Sequence, residues 1–168
     1  MFPSLIAKSR SSLLGVGAAA LMVALPSHAL VVLDTFGPGD TAPGQNWSLV
    51  NQSANNGQFL AVPFDLADAA TVDSVLSSIQ GSGSYQIGVV AGAGLPSGAF
   101  VYSTSVTSPA ANLLLSGLGW TLAAGDYWLV AKADPGASGT WQGGGQPGTS
   151  AWAFTFEPND ATWSFTGT

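Results

Sequence analysis

Cysteine is missing from the 168 residues, and charge is nearly missing: 7% of the chain, as three Lys or Arg against nine Asp or Glu. Soluble domains carry about 25% charged residues. Without Cys there is no disulfide, no thiol nucleophile and no thiolate-ligated zinc or iron–sulfur centre. Three bases and a formal net charge of −6 leave too little positive charge to neutralise a phosphate backbone, which excludes nucleic acid as a partner. A membrane-spanning run is lacking as well: the N-terminal apolar stretch Leu13 to Leu25 is shorter than the about 20 residues a span needs.

That stretch has a different use. Lys8 and Arg10 precede it, and Pro26 with Ser27-His28-Ala29 follows, placing small residues at −3 and −1 of a cleavage point after Ala29. Basic, apolar and small-residue segments in this order are a secretory signal. The expectation is a signal peptide at 1–29, a single exported domain at 30–168, and no transmembrane segment once the signal is gone. The alternative is a retained N-terminal anchor running from Leu13 through Leu33 across Pro26 and His28. Cleavage removes Lys8, Arg10 and the only His, leaving Lys132 as the sole base against nine acids, a net charge of −8. A Ser-His-Asp triad, a histidine general base and a His-ligated metal go with it.

What is abundant is glycine, 22 residues, together with short apolar stretches separated by Gly, Pro, Asn, Asp and Ser. These residues mark turns. Strands are expected at Leu30–Phe36, Asn46–Val50, Phe59–Phe64, Tyr85–Val90, Phe100–Val106, Leu113–Leu115, Trp120–Leu122 and Tyr127–Ala131, with a late pair around Trp152–Phe156 and Trp163–Phe165. Pro63 cannot donate to a ladder, so its stretch reads as an edge strand or a strand end. Tyr127–Ala131 is apolar on both faces and belongs in the middle of a covered sheet. Thr71–Ile79 fits a helix face (Val72, Leu76, Ile79) about as well as a strand. The turn Gly81-Ser82-Gly83 leading into Tyr85 favours a strand and a hairpin. Asp134–Ser150, rich in glycine, reads as a long loop with Trp141 at its centre. About nine or ten short strands with frequent turns imply an all-β fold, an antiparallel β-sandwich of jelly-roll-like form.

Thr71-Val72-Asp73-Ser74-Val75, then Gly94-Leu95-Pro96-Ser97-Gly98, then Leu122-Ala123-Ala124-Gly125-Asp126-Tyr127-Trp128-Leu129-Val130 follow one another in an order similar to that of bacterial secreted proteins with a choice-of-anchor R domain. Pro63-Phe64 and the late Trp152, Phe154 and Trp163 fill similar places. The resemblance covers most of 30–168, through turn and core residues. It implies an all-β exported domain, of a kind often tethered by a variable C-terminal sorting tail, and supports a strand at Thr71–Ile79; it carries over no activity and no site residue. The chain ends at Thr166-Gly167-Thr168 without an apolar or basic tail, so the expected form is secreted and unanchored.

The remaining chemistry is sparse. Glycoside hydrolysis needs two carboxyls across a cleft. Glu157, the only Glu, and Asp126 sit in expected turns, where a solvated side chain explains them; Asp65 and Asp68 would share one turn of a helix but match no motif. No catalytic residue and no required cofactor is expected. Weak Ca²⁺ binding would draw on Asp34, Asp40, Asp65, Asp68, Asp73, Asp134 and Asp160 near glycine-rich loops, without an EF-hand loop. Asn46-Trp47-Ser48 and Asn51-Gln52-Ser53 would accept glycans only in a host with that machinery. A sugar ring stacks on an exposed indole, and Trp141-Gln142, flanked by glycines with Asp134 and Gln146 nearby, is the most ligand-like arrangement. The competing reading buries Trp141 as a lid on the core. The other five Trp sit in strand patterns and read as core.

The composition thus points to a secreted, non-enzymatic structural or matrix-associated domain, touching an extracellular polysaccharide or matrix protein. The alternative is a carbohydrate-binding module or weakly calcium-dependent lectin using Trp141. Few charges and many aromatics are the reverse of a disordered chain.

Overall fold

The computed structural model describes residues 46–53, 56–142, 152–155 and 163–166. The expected signal peptide, the strand Leu30–Phe36 and the turn at 157–160 lie outside them. The described residues contain eleven strands and no helix: β1 Asn46–Ser53, β2 Asn56–Leu66, β3 Ala70–Ser77, β4 Ile79–Ser82, β5 Ser84–Ala91, β6 Tyr102–Thr107, β7 Leu113–Leu122, β8 Gly125–Ala133, β9 Ser138–Gln142, β10 Trp152–Thr155 and β11 Ser164–Thr166. The fold is all-β and antiparallel, a curled main sheet with a second, two-stranded sheet packed on it, in keeping with a β-sandwich.

The main sheet runs β4-β9-β1-β2-β8-β5-β6, and β10 branches from β2 to carry β11. Its curl follows from chain order. β4 lies at one end of the sheet and β5 near the other, yet only Gly83 separates them in sequence, so the sheet has to bend round. The Gly81 N–H donates to the Pro109 carbonyl just past β6 at 3.1 Å, bringing the two ends together.

β8 holds the middle, between β2 and β5, as its two-sided apolar pattern requires. Tyr127, Trp128, Val130 and Ala131 are all buried. β2 is longer than expected and also central. Its Pro63 is opposite Trp128 on β8, while β10 reaches only to Ala61 on the other side. The missing N–H therefore falls where β2 has one described neighbour, which reconciles a proline with a sheet interior.

The strand reading of Thr71–Ile79 holds, but the hairpin does not. β3 pairs with β7 in the second sheet, and Ile79 already belongs to β4, which pairs with β9. The helical look of the sequence has a physical origin. Val72 is opposite Trp120 and Ser74 opposite Ser116, so Gly117-Leu118-Gly119 bulges out across from Asp73 alone. Gly117 and Gly119 take φ of 69° and 61°, the left-handed region that a Cβ penalises. Across this irregularity the residues packed on the core step from Val72 to Val75, a spacing of three that imitates a helix face. Leu113–Leu115 and Trp120–Leu122, which read as two pieces, are the ends of the one bulged strand β7.

The larger core gathers Leu49, Leu60, Val62, Tyr85, Ile87, Trp128, Val130 and Trp141 from both arms of the main sheet. A second cluster, Leu66, Val89, Trp120, Leu122 and Tyr127, joins the main sheet to β3-β7. Each large apolar side chain buried contributes about 1.5–3 kcal/mol. Phe64 stacks on Tyr127 with ring centroids 5.6 Å apart, and Tyr102 on Trp120 at 6.3 Å.

Candidate functional site

Along β8, Trp128, Val130 and Lys132 share one face. Their partners on β5 are Val90, Gly88 and Gln86, and on β2 the same face continues through Pro63 and Ala61 towards Phe59. One end of this face is apolar and is roofed by the segment after β5. There the Trp128 Nε1–H donates to the Gly94 carbonyl at 2.6 Å, and Leu95 and Phe100 pack on the core. Gly88 has no side chain because a Cβ would run into the Phe100 ring and the backbone of Tyr102. The Lys132 ammonium lies 4.7 Å from the centroid of the Phe100 ring, a cation–π contact at the end of the roof.

Past Lys132 the same face turns polar and opens into a groove of about 480 Å³. Phe59, 3% exposed, lines it from β2, and Gln86 and Lys132 line it from β5 and β8. Asn51, Gln52 and Ser53 at the end of β1 form a second wall, and Asp134, Pro135 and Gly136 a third.

The third wall is a type II turn. Pro135 fills the position that wants a fixed φ, Gly136 has φ of 85°, and the Ala137 N–H donates to the Asp134 carbonyl at 2.9 Å. Asn51 clamps it from β1. Its backbone N–H donates to the Ala137 carbonyl at 3.0 Å, its carbonyl accepts from the Gly136 N–H at 2.7 Å, and its Nδ2 donates to the Ala133 carbonyl at 3.0 Å. The Asp134 N–H in turn donates to the Ser84 carbonyl at 2.9 Å. The groove wall is thus fixed by backbone and one amide, independently of any ligand.

Of the residues expected to bind, Asp134 lines this groove and Trp141 and Gln142 do not. Asp134–Ser150 is not one long loop: Ser138–Gln142 is β9, between β1 and β4. Trp141 is 4% exposed, in the larger core, opposite Trp47 on β1 and Ile79 on β4. Trp47 is four residues along β1 from Asn51, about 13 Å by the strand rise. The indole offers no open face for stacking, and the lid-like reading of Trp141 is the one its burial matches.

The glycine that suggested a loop has a packing task. Gly139 is opposite Gly81, and a Cβ at either would strike the hydroxyl of Tyr85. That hydroxyl donates to the Ser82 carbonyl at 3.0 Å, and burial pushes the phenol above its ordinary pKa. Gln142 ends β9 half-buried. Its N–H donates to the Ser78 carbonyl at 3.3 Å, and its own carbonyl accepts from the Ser78 hydroxyl. Gln146 lies outside the described residues. Among the other tryptophans, Trp120, Trp128 and Trp163 are buried and Trp47 packs on the larger core.

The acids are dispersed. Asp65 is on β2 rather than a helix, directly opposite Asp126 on β8, and both are exposed. Like charges directly opposite one another weaken a sheet pair. No group of three or more metal-ligating side chains occurs among the described residues. Asp34, Asp40 and Asp160 of the expected calcium set lie outside them. Asp134 is the one carboxylate on the described groove wall. Asn51, Gln52 and Ser53 stand out in the sequence only as a glycan-acceptor triplet and Lys132 only as the sole base of 30–168; Gln86 does not stand out at all. The signal available was the polar break that Gln86 and Lys132 make in otherwise apolar rows.

Compared with known proteins, the chain matches no family model, no curated protein and no solved structure.

Proposed function

We propose that this chain is an exported, non-enzymatic domain that serves as a structural component of an extracellular matrix, acting through contact rather than turnover. One observation carries the reading. Most exposed side chains of β6, β3 and β7 are neutral hydroxyls where soluble domains usually place charge (Ser103, Ser105 and Thr107; Thr71 and Ser74; Ser116 and Thr121), with Asp73 the one charge and Leu114 the one large apolar side chain among them. Such a surface is held in water by hydrogen bonding and meets neutral polymers without a charge to desolvate. The secretory pattern at 1–29 and the likeness to choice-of-anchor R domains support the same location.

The test is expression with the native N-terminus in a bacterial host that builds a matrix, followed by fractionation and mass measurement. The expected result is a chain beginning at Leu30 that sediments with the matrix and is released by washing at neutral pH only slowly. A chain with its N-terminus intact inside the cell would overturn the reading. Carbohydrate recognition is the second reading. The polar groove favours it, and its seat moves from Trp141 to that groove.

A further inference from the structure

We infer that the groove between the end of β1 and the Asp134–Ala137 turn is a binding site for a neutral oligosaccharide segment. The inference rests on the matrix reading only for where such a polymer would be met. The site itself stands on three features of the molecule.

The first is its chemistry. Gln52, Gln86, Ser53 and Asp134 line one concave space, and their side chains carry hydrogen-bond donors and acceptors together. Vicinal sugar hydroxyls, each donor and acceptor at once, match that mixture, and Phe59 adds an apolar lining residue for ring C–H groups. The volume of about 480 Å³ lies within the roughly 300–1,000 Å³ of small-molecule sites.

The second feature is rigidity. Asn51 holds the turn at three points and Ser84 at a fourth, so the wall needs little ordering when a ligand arrives. The third is charge. Residues 30–168 carry nine acids against Lys132 alone, so an anionic polymer is repelled on approach. The Lys132 ammonium is positioned over Phe100, and the residue lines the groove next to Gln86, so the one base of 30–168 sits at the groove's margin. A neutral glycan carries no such penalty.

The test is calorimetric titration of the purified full chain with neutral oligosaccharides (gluco-, manno-, galacto- and N-acetylglucosamine oligomers) and with uronate oligomers, at low and high salt. At least one neutral oligomer is expected to bind saturably, with an affinity unchanged by salt. Gln52→Ala and Gln86→Ala should each weaken it about fivefold, the value of one hydrogen bond, with unaltered melting. Trp141→Phe should bind as the unmodified chain does. Absence of saturable binding to every neutral oligomer overturns the inference. So does binding indifferent to both glutamine changes, binding lost in a folded Trp141→Phe, or salt-sensitive binding confined to uronates. A chain that sediments with matrix but binds no oligomer sinks the groove and leaves the matrix reading; one that binds but is not exported does the opposite.

Discussion

One face of the main sheet has two ends with opposite fates. At one end Trp128, Val130 and Val90 lie beneath Leu95 and Phe100; at the other Gln86, Lys132 and Phe59 line an open groove. The strands and the register are the same throughout, so backbone does not make the difference. Alternate positions on β8 read Trp, Val, Lys and on β5 Val, Gly, Gln, and the roof stops where the polarity changes. The covered end is where this protein keeps its stability, and the open end is where it has hydrogen-bonding groups to offer. The contrast can be broken by substitution, because a residue of the covered end should matter to folding and a residue of the open end to binding.

Trp128→Ala should have the largest effect. It empties a position 2% exposed and removes the bond to Gly94, for a loss of about 3–5 kcal/mol in urea unfolding. Asn51→Ala comes next, at about 1–3 kcal/mol, because the Ala133 carbonyl loses its side-chain donor; the groove wall loosens with it, so oligosaccharide affinity falls as well.

Tyr85→Phe should cost about 1 kcal/mol at neutral pH, the net value of the bond to Ser82. The fold holds the Tyr85 proton more tightly than the unfolded chain does, since burial raises its pKa. Its contribution is therefore complete below the unfolded value of about 10 and is lost as pH rises through the folded value. Denaturation followed from pH 9 to 12 should show a shallower alkaline decline in the Phe variant. Gln86→Ala should be the mildest, within about 0.5 kcal/mol of the unmodified chain, while weakening oligosaccharide binding about fivefold. A large loss of stability in Gln86→Ala, or none in Trp128→Ala, would erase the distinction between the two ends.

Most strands were legible because their cause is local: two-residue alternation and turn residues are written in neighbouring positions. β8 could even be placed at the sheet centre, since Tyr127–Ala131 has no polar face to give to water. What was not legible depended on distant partners. Gly139 resembles a loop glycine until Tyr85 and Gly81 are seen to need its space, and with that β9 and the burial of Trp141 were hidden. The stagger of Val72 and Val75 looks helical until Gly117-Leu118-Gly119 is seen to bulge opposite Asp73. The groove was missed for the same reason, because Asn51, Gln86 and Asp134 are far apart in sequence and meet only where the pairing of β5 with β8 and the hydrogen bonds of Asn51 to the 133–137 segment bring them together. Of the groove residues only Asp134 is a binding candidate from sequence, as an acid near Trp141 in a glycine-rich stretch.

The most direct measurement is a backbone and side-chain amide NMR titration of the isotope-labelled chain with the neutral oligosaccharide that binds best. Progressive shifts are expected at Asn51, Gln52, Gln86 and Lys132 through Gly136, with the Trp141 indole resonance unmoved. Shifts centred on Trp141 and Gln142, or none at the Asn51–Asp134 end, would contradict a binding site in the groove.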